Sequence, residues 1–158
     1  MEFSIREAVR SDMKSVHALI TELAVFEKEP EAVKVTIGDL ERDGFGEAPL
    51  FHCFVADFNG DVVGIALVYP RYSTWRGPVI HLEDLIVTKA MRGKGIGAAL
   101  LKRVVQYGVA KGVGRIGWEV LDWNEPAIKF YEDCGAIVMR DWHVVQMDDV
   151  AMKKFLEA

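Results

Sequence analysis

A chain of 158 residues that is 51% hydrophobic and 27% charged can bury a real core, and residues 1–158 are expected to form a single domain. A formal net charge of −5 argues against nucleic acid, and no apolar run approaches the ~18 residues a membrane-spanning helix needs. Cys53 and Cys134 form no Cys-x-x-Cys pair and the N-terminus, Met-Glu-Phe-Ser-Ile-Arg, lacks the basic and apolar regions of a signal peptide, so the expected setting is the cytoplasm, with reduced thiols and no disulfide framework.

Phe3 to Ala8 alternates as a first strand. Ser11-Asp12 is expected to cap a helix that carries Val16, Leu19, Ile20, Leu23 and Phe26 at helical spacing. Thr36 is placed to cap a shorter helix ending near Gly44. Phe51–Asp57 and Val62–Tyr69 flank Asn59-Gly60, a hairpin turn signal. Arg71 to Pro78 reads as a loop and Val79 to Val87 as another strand. A glycine-rich loop, Arg92 to Gly97, then leads into a helix reaching about Lys111. Arg115–Leu121 is expected as a strand and Glu125–Cys134 as a helix with Pro126 in its first turn, stopped by Gly135. Cys134 follows that apolar segment and reads as an inert packing thiol. Ala136–Met139 and Val144–Met147 look like a final strand pair, and the tail from Asp148 to Leu156 like a short helix or a fraying end. A strand, two helices, a strand meander and then alternating helix and strand define an α/β chain with a mixed sheet.

The loop Arg92-Gly93-Lys94-Gly95-Ile96-Gly97 carries the first chemical signal. Amides at a helix start lack internal partners and sit at the positive end of the dipole. Glycines let a phosphate approach the backbone, and Arg92 and Lys94 add positive charge. The pattern predicts a phosphate or pyrophosphate site, against the alternative of a tight turn that binds nothing. Gly93-x-Gly95-x-x-Ala98, with Asp122 downstream, also fits the dinucleotide fingerprint. That fingerprint normally follows the first strand of its unit, whereas here a meander precedes it and too little chain remains for a second catalytic region.

The same residues match the cofactor motif of the GNAT superfamily of N-acetyltransferases, Arg/Gln-x-x-Gly-x-Gly/Ala. His81-Leu82-Glu83-Asp84-Leu85-Ile86-Val87, Leu121-Asp122-Trp123-Asn124, Phe130-Tyr131, Asp43-Gly44-Phe45-Gly46-Glu47 and Ser73-Thr74-Trp75-Arg76-Gly77 sharpen the match. From about Phe3 to Met147 the chain resembles the diamine acetyltransferase branch, which holds the spermidine/spermine and the thialysine N-epsilon-acetyltransferases. The Ser-Thr-Trp-Arg-Gly loop, Leu-Asp-Trp-Asn and Trp142-His143 are more similar to the thialysine type. The resemblance implies the GNAT fold, an α+β sandwich whose mixed, mostly antiparallel sheet is splayed at the strand ending near Val87. It implies acetyl-CoA in that cleft as cosubstrate. Backbone groups of Leu85, Ile86 and Val87 would hold the pantetheine arm. The amides of Gly93, Lys94, Gly95, Ile96 and Gly97, helped by Arg92, would hold the pyrophosphate, and Asn124 and Tyr131 would also contact the cofactor. It further implies a homodimer.

Acetyl transfer to an amine poses two proton problems. A lysine-like amine with a pKa of about 10.4 is nucleophilic in only about one molecule in a thousand near neutrality, and deprotonating it at pH 7.4 costs about 4 kcal/mol. The departing thiolate also has to be protonated or stabilised. Glu83 and Asp84 interrupt an apolar strand, where buried charge is costly without a purpose or partner; a solvated strand end accounts for them equally well. The resemblance assigns Glu83 as base, directly or through water, with Asp84 nearby. It assigns Tyr131 as acid, although Ile128, Phe130 and Tyr131 also read as an ordinary core face.

In the same resemblance Glu27, Trp75, Glu83, Asp84 and Trp142 line the amine pocket, carboxylates holding ammonium groups and indole faces holding cations. Core or interface packing is the plain alternative for both tryptophans, and a helix-end charge for Glu27. Ser73 stands where polyamine enzymes carry a carboxylate, and Arg76 and Arg140 add positive charge, which turns the expectation from long polyamines to thialysine, a related lysine-like amino acid or a diamine. His81 shares a strand face with Glu83 by alternation, and the other histidines form no metal-ligand spacing, so no metal is expected. The competing readings are a spermidine/spermine or protein-lysine acetyltransferase and, from another class, a non-catalytic acyl-CoA sensor.

Overall fold

The computed structural model describes residues 2–157. They form two compact units, one running to Glu119 and the other starting at Val120.

The first unit is built on a five-stranded sheet in sequence order, β1 (Ser4–Glu7), β2 (His52–Phe58), β3 (Asp61–Ser73), β4 (Gly77–Val87) and β5 (Ile116–Gly117). The first four strands are antiparallel and β5 joins β4 in parallel, which makes the sheet mixed and mostly antiparallel. α1 (Met13–Phe26) and α2 (Ile37–Phe45) cover one face. Their Met13, Val16, Leu19 and Leu40 pack with Cys53, Val55, Ile65, Leu67 and Ile86 in one buried cluster. By strand alternation Phe54, Ala66 and Val68 point to the other face, where α3 (Ile96–Lys111) buries Ile96, Leu100 and Val104. Arg103 of α3 lies over the Phe54 ring at 4.4 Å, which marks that face as its own.

Local chemistry explains most element ends. Thr36 caps α2 by accepting from the Asp39 amide at 3.1 Å while Asp39 accepts from the Thr36 amide at 2.9 Å. Asn59 and Gly60 both take positive φ, 53° and 91°, as a tight hairpin turn requires. Asp12 does not cap α1 as the sequence predicts. It is buried, accepts from the Val9 amide at 2.8 Å and pairs with Arg6 at 2.7 Å, so its lone pairs are used before the helix begins. The Arg6 hydrogen bond holds its carboxyl below the usual range.

Three expectations are revised. The loop expected at Arg71–Pro78 is largely hairpin, because β3 and β4 stay in register through Ser73–Gly77, where Ser73 Oγ accepts from the Trp75 and Arg76 amides. The strand expected at Arg115–Leu121 shrinks to Ile116–Gly117, since its pairing with β4 ends at His81. Among the described residues no strand forms at Ala136–Met139 or Val144–Met147. Alternation marks these segments as strand-competent, but a strand also needs a ladder partner for its amides and carbonyls.

The second unit holds α4 (Glu125–Asp133), stopped by Gly135 at φ 93°, and α5 (Asp149–Leu156), capped by Asp148, which accepts from the Ala151 amide at 2.8 Å. Cys134 is exposed at the end of α4 rather than packed. Ile137, Trp142, Val144, Val145 and Met147 are all exposed, Val145 at 89%.

Candidate active site

β4 and β5 pair only at Ile80–Ile116 and His81–Gly117. From Leu82 to Val87, β4 has no strand partner on that edge among the described residues. Leu85, Ile86 and Val87 therefore bond across to β3 on one side and present an open backbone edge on the other.

The parting coincides with a bulge. Leu67 pairs with Asp84, the next residue Val68 pairs with Leu82, and Glu83 is left as an extra residue on β4. A bulge of this kind opposes two residues to one and re-aims side chains. His81, partner of Tyr69, and Asp84, partner of Leu67, both face the α1 side, and Glu83 follows His81 by normal alternation. Two consecutive carboxylates thus project to the same face, which unbroken alternation forbids.

Each is held differently. Glu83 is half exposed; Tyr69 Oη donates to its Oε2 at 3.0 Å, and Nε2 of the buried His81 lies 3.5 Å from the same oxygen. Asp84 is pushed up to about 6 by burial, with the charges of Glu83 and Glu27 acting in the same direction. Burial also raises the Glu27 carboxyl, which closes the C-terminal end of α1. Glu27, Glu83 and Asp84 are accordingly neighbours in one partly desolvated acidic patch beside the open edge of β4. Cys53 lies beneath it, its thiol pushed up to about 12 by burial and so unreactive at neutral pH.

Past Val87 the chain turns into the glycine loop. Gly93 and Gly95 take φ of 73° and 81°, and nothing stands within 4 Å of where a Cβ on either would lie. Gly95 caps the sixteen-residue α3 without a side-chain hydrogen bond, leaving the amides of its first turn directed outward. Space, free amides and a helix dipole together fit a pyrophosphate.

The Arg92 side chain is engaged elsewhere. Its Nε donates to the Val87 carbonyl at 2.8 Å, and the guanidinium lies 3.7 Å from Glu22 and 5.6 Å above the centre of the Phe26 ring. Glu22 of α1 also accepts from the Thr88 hydroxyl at 3.0 Å and the Lys89 amide at 2.9 Å. This one carboxylate fastens the segment before the glycine loop to α1. Neither Glu22 nor Tyr69 stands out in the sequence, because Glu22 reads as a polar helix position and Tyr69 as a strand aromatic. Only the strand register and the fold around α1 reveal what they bond.

Trp75 is 81% exposed at the tip of the β3–β4 hairpin. Asn124, Tyr131 and Trp142 belong to the second unit. There Asn124 precedes α4 without a side-chain cap, Tyr131 is half-buried with its ring 5.4 Å from that of Phe130, and Trp142 is 65% exposed.

An antiparallel meander that opens beside a bulged carboxylate strand, followed by a glycine loop on a helix start, is the layout of an acetyltransferase cleft. The chain belongs to the acetyltransferase (GNAT) family, whose pattern matches residues 13–136. It is 39% identical to a thialysine N-epsilon-acetyltransferase of Bos taurus over 95% of both chains, and 42% identical to that of Mus musculus over 84% of this chain and 82% of the other. It is 37% identical to spermidine/spermine N(1)-acetyltransferase-like protein 1 of Homo sapiens, over 92% of this chain and 22% of that longer protein. An integron cassette protein from the mobile metagenome of V. cholerae shares the fold at TM-score 0.80 and 21% identity, over 100% of this chain and 99% of the other. The chain is an acetyl-CoA-dependent amine N-acetyltransferase.

Two consequences are measurable. Glu22→Ala removes two charged hydrogen bonds from the segment before the glycine loop, so acetyl-CoA affinity by calorimetry falls on the order of tenfold, the equivalent of about 1.4 kcal/mol. A folded-state carboxyl raised to about 6 favours the folded protein at low pH and loses that contribution as pH climbs from the ordinary Asp range through 6. Asp84→Asn is therefore expected to raise Tm at pH 8, with the gain shrinking at pH 5, in parallel calorimetric scans.

Proposed function

We propose that this single-domain enzyme acetylates the primary amine of a small molecule, thialysine or a related lysine-like amino acid or diamine. The observation that carries the reading is the acidic patch of Glu27, Glu83 and Asp84 beside the open edge of β4. Partly desolvated carboxylates attract an ammonium group more strongly than solvated ones do, and its arrival relieves their mutual repulsion. The names of the relatives support the substrate class.

Acetyl-CoA supplies the acetyl group as a thioester. The amides of Leu85 to Val87 and of Gly93 to Gly97, with Asn124, hold it, and Arg92 acts through the fastening at Val87 and Glu22. Glu83 removes a proton from the acceptor ammonium, directly or through water. Its place on a bulge, half exposed at the open edge, suits that role. The Tyr131 phenol returns a proton to the departing thiolate. Asp84 and Glu27 hold the charge of the amine or of a second cationic group.

Trp75 and Trp142 complete the pocket together with a second copy of the chain. The exposure of Ile137, Trp142, Val144 and Val145 supports a homodimer, because exposed apolar side chains in such number within one short segment favour an interaction site. The proposed setting is the cytoplasm.

Release of CoA thiol with thialysine, lysine, ornithine, putrescine, spermidine and a lysine peptide tests the substrate. Thialysine is expected to give the highest kcat/KM; a spermidine preference moves the chain to the polyamine side of its branch, and turnover of the peptide alone removes the small-amine reading. Glu83→Gln is expected to lower kcat by about 10²–10⁴-fold, and Tyr131→Phe by at least tenfold, with KM for acetyl-CoA little changed.

A further inference from the structure

Glu83 alone does not explain its own geometry. A glutamate has three side-chain torsions, and one on a half-exposed bulge would sample several of them. Here one carboxylate oxygen is fixed. Tyr69 Oη donates to Oε2 at 3.0 Å, and the buried His81 brings Nε2 to 3.5 Å of that same atom. Tyr69 and His81 thus converge on Oε2.

Tyr69 is itself well fixed. It pairs across the ladder with His81, and the two rings lie 5.2 Å apart, so the ring packs against a buried neighbour while its hydroxyl reaches the bulged residue, Glu83. The hydroxyl stays protonated through the neutral range. Burial raises the phenol above its ordinary value, and the hydrogen bond to Glu83 and the charges of Glu83 and Glu119 act in the same direction against Arg71. A neutral phenol donating to a carboxylate makes a directional bond without introducing a charge that would repel an incoming ammonium.

We propose that Tyr69 is the positioning residue for Glu83, holding Oε2 so that Oε1 faces the acceptor amine. The inference rests on Glu83 being the base. It adds a second-strand residue to the reaction: β3 orients the group that β4 carries. Tyr69 neither takes nor gives a proton in the net reaction. The proton leaves the acceptor ammonium for Oε1, and the hydrogen bond to Oε2 persists throughout.

The test is a double-mutant cycle on the full chain, read as kcat and KM with thialysine and acetyl-CoA. Tyr69→Phe keeps the ring against His81 and removes only the hydroxyl. It is expected to lower kcat about tenfold, to leave KM for acetyl-CoA within about twofold, and to have less than about a twofold effect when introduced into Glu83→Gln. Tyr69→Ala reports on packing: if Tyr69→Phe restores the full wild-type rate that Tyr69→Ala loses, the hydroxyl does not matter and the inference falls. Equal rate losses from Tyr69→Phe in the wild-type and Glu83→Gln backgrounds also overturn it, while leaving Glu83 as base. If Glu83→Gln itself turns over normally, the base assignment fails first and the positioning role goes with it.

Discussion

After His81, β4 loses the neighbour it had in β5, and everything at the site depends on that separation. Backbone amides and carbonyls without partners are costly when buried, so an open strand edge inside an α/β layer persists only where solvent or a ligand meets it. The same strand carries an extra residue on its other ladder, at Glu83. One edge of β4 is thus free for a ligand while the opposite ladder delivers two adjacent carboxylates to one face. Removing the bulge would shift every later residue by one and turn Asp84 to the opposite face.

α1 ties the two halves of this arrangement together. Glu22 fastens Thr88 and Lys89 at the approach to the glycine loop, while Glu27, at the helix's C-terminal end, contributes charge beside Asp84. Val16 and Leu19 of the same helix are buried against β2, β3 and β4, so α1 cannot move without disturbing the core. Loop and acidic patch are therefore held to one rigid element, which keeps the donor side and the acceptor side in a fixed relation. Such placement is worth a large share of the barrier in a two-substrate transfer.

The acidic patch has a stability cost. Asp84 sits where burial, Glu83 and Glu27 all oppose its charge. A fold selected for stability alone would place an apolar residue opposite Leu67, as it places Ile86 opposite Ile65. Local conflict of this kind, in an otherwise apolar strand, is characteristic of sites where charge is kept for binding. The Arg6–Asp12–Asp57 group provides the contrast. There the charges are paired at 2.7 and 3.0 Å, Asp12 is stabilised in its ionised form, and the network holds β1 and the start of α1 to β2.

Much of the molecule could be read from the chain because local signals carried it. Thr36 with Asp39, Asn59-Gly60, and the strand–glycine–helix passage from Val87 to Ile96 are each specified within a few residues, and helical spacing in α1 and α3 marked their buried faces. Glu83, Asp84 and the glycine loop could be picked out the same way, since charge in an apolar strand and glycines before a helix are visible without a fold. What the sequence could not decide was anything set by a partner distant in the chain. Ala136–Met139 and Val144–Met147 alternate like strands yet find no ladder among the described residues, the hairpin runs through Pro70 and Pro78 to Ser73 and Gly77, and β5 stops at Gly117, where its pairing with β4 ends. The bonds of Tyr69 to Glu83 and of Glu22 to Thr88, fourteen and sixty-six residues apart, exist only once the sheet and α1 bring them together. Short-range hydrogen bonding and hydrophobic periodicity are properties of the chain itself, whereas register, bulge and buried charge are properties of the packed sheet.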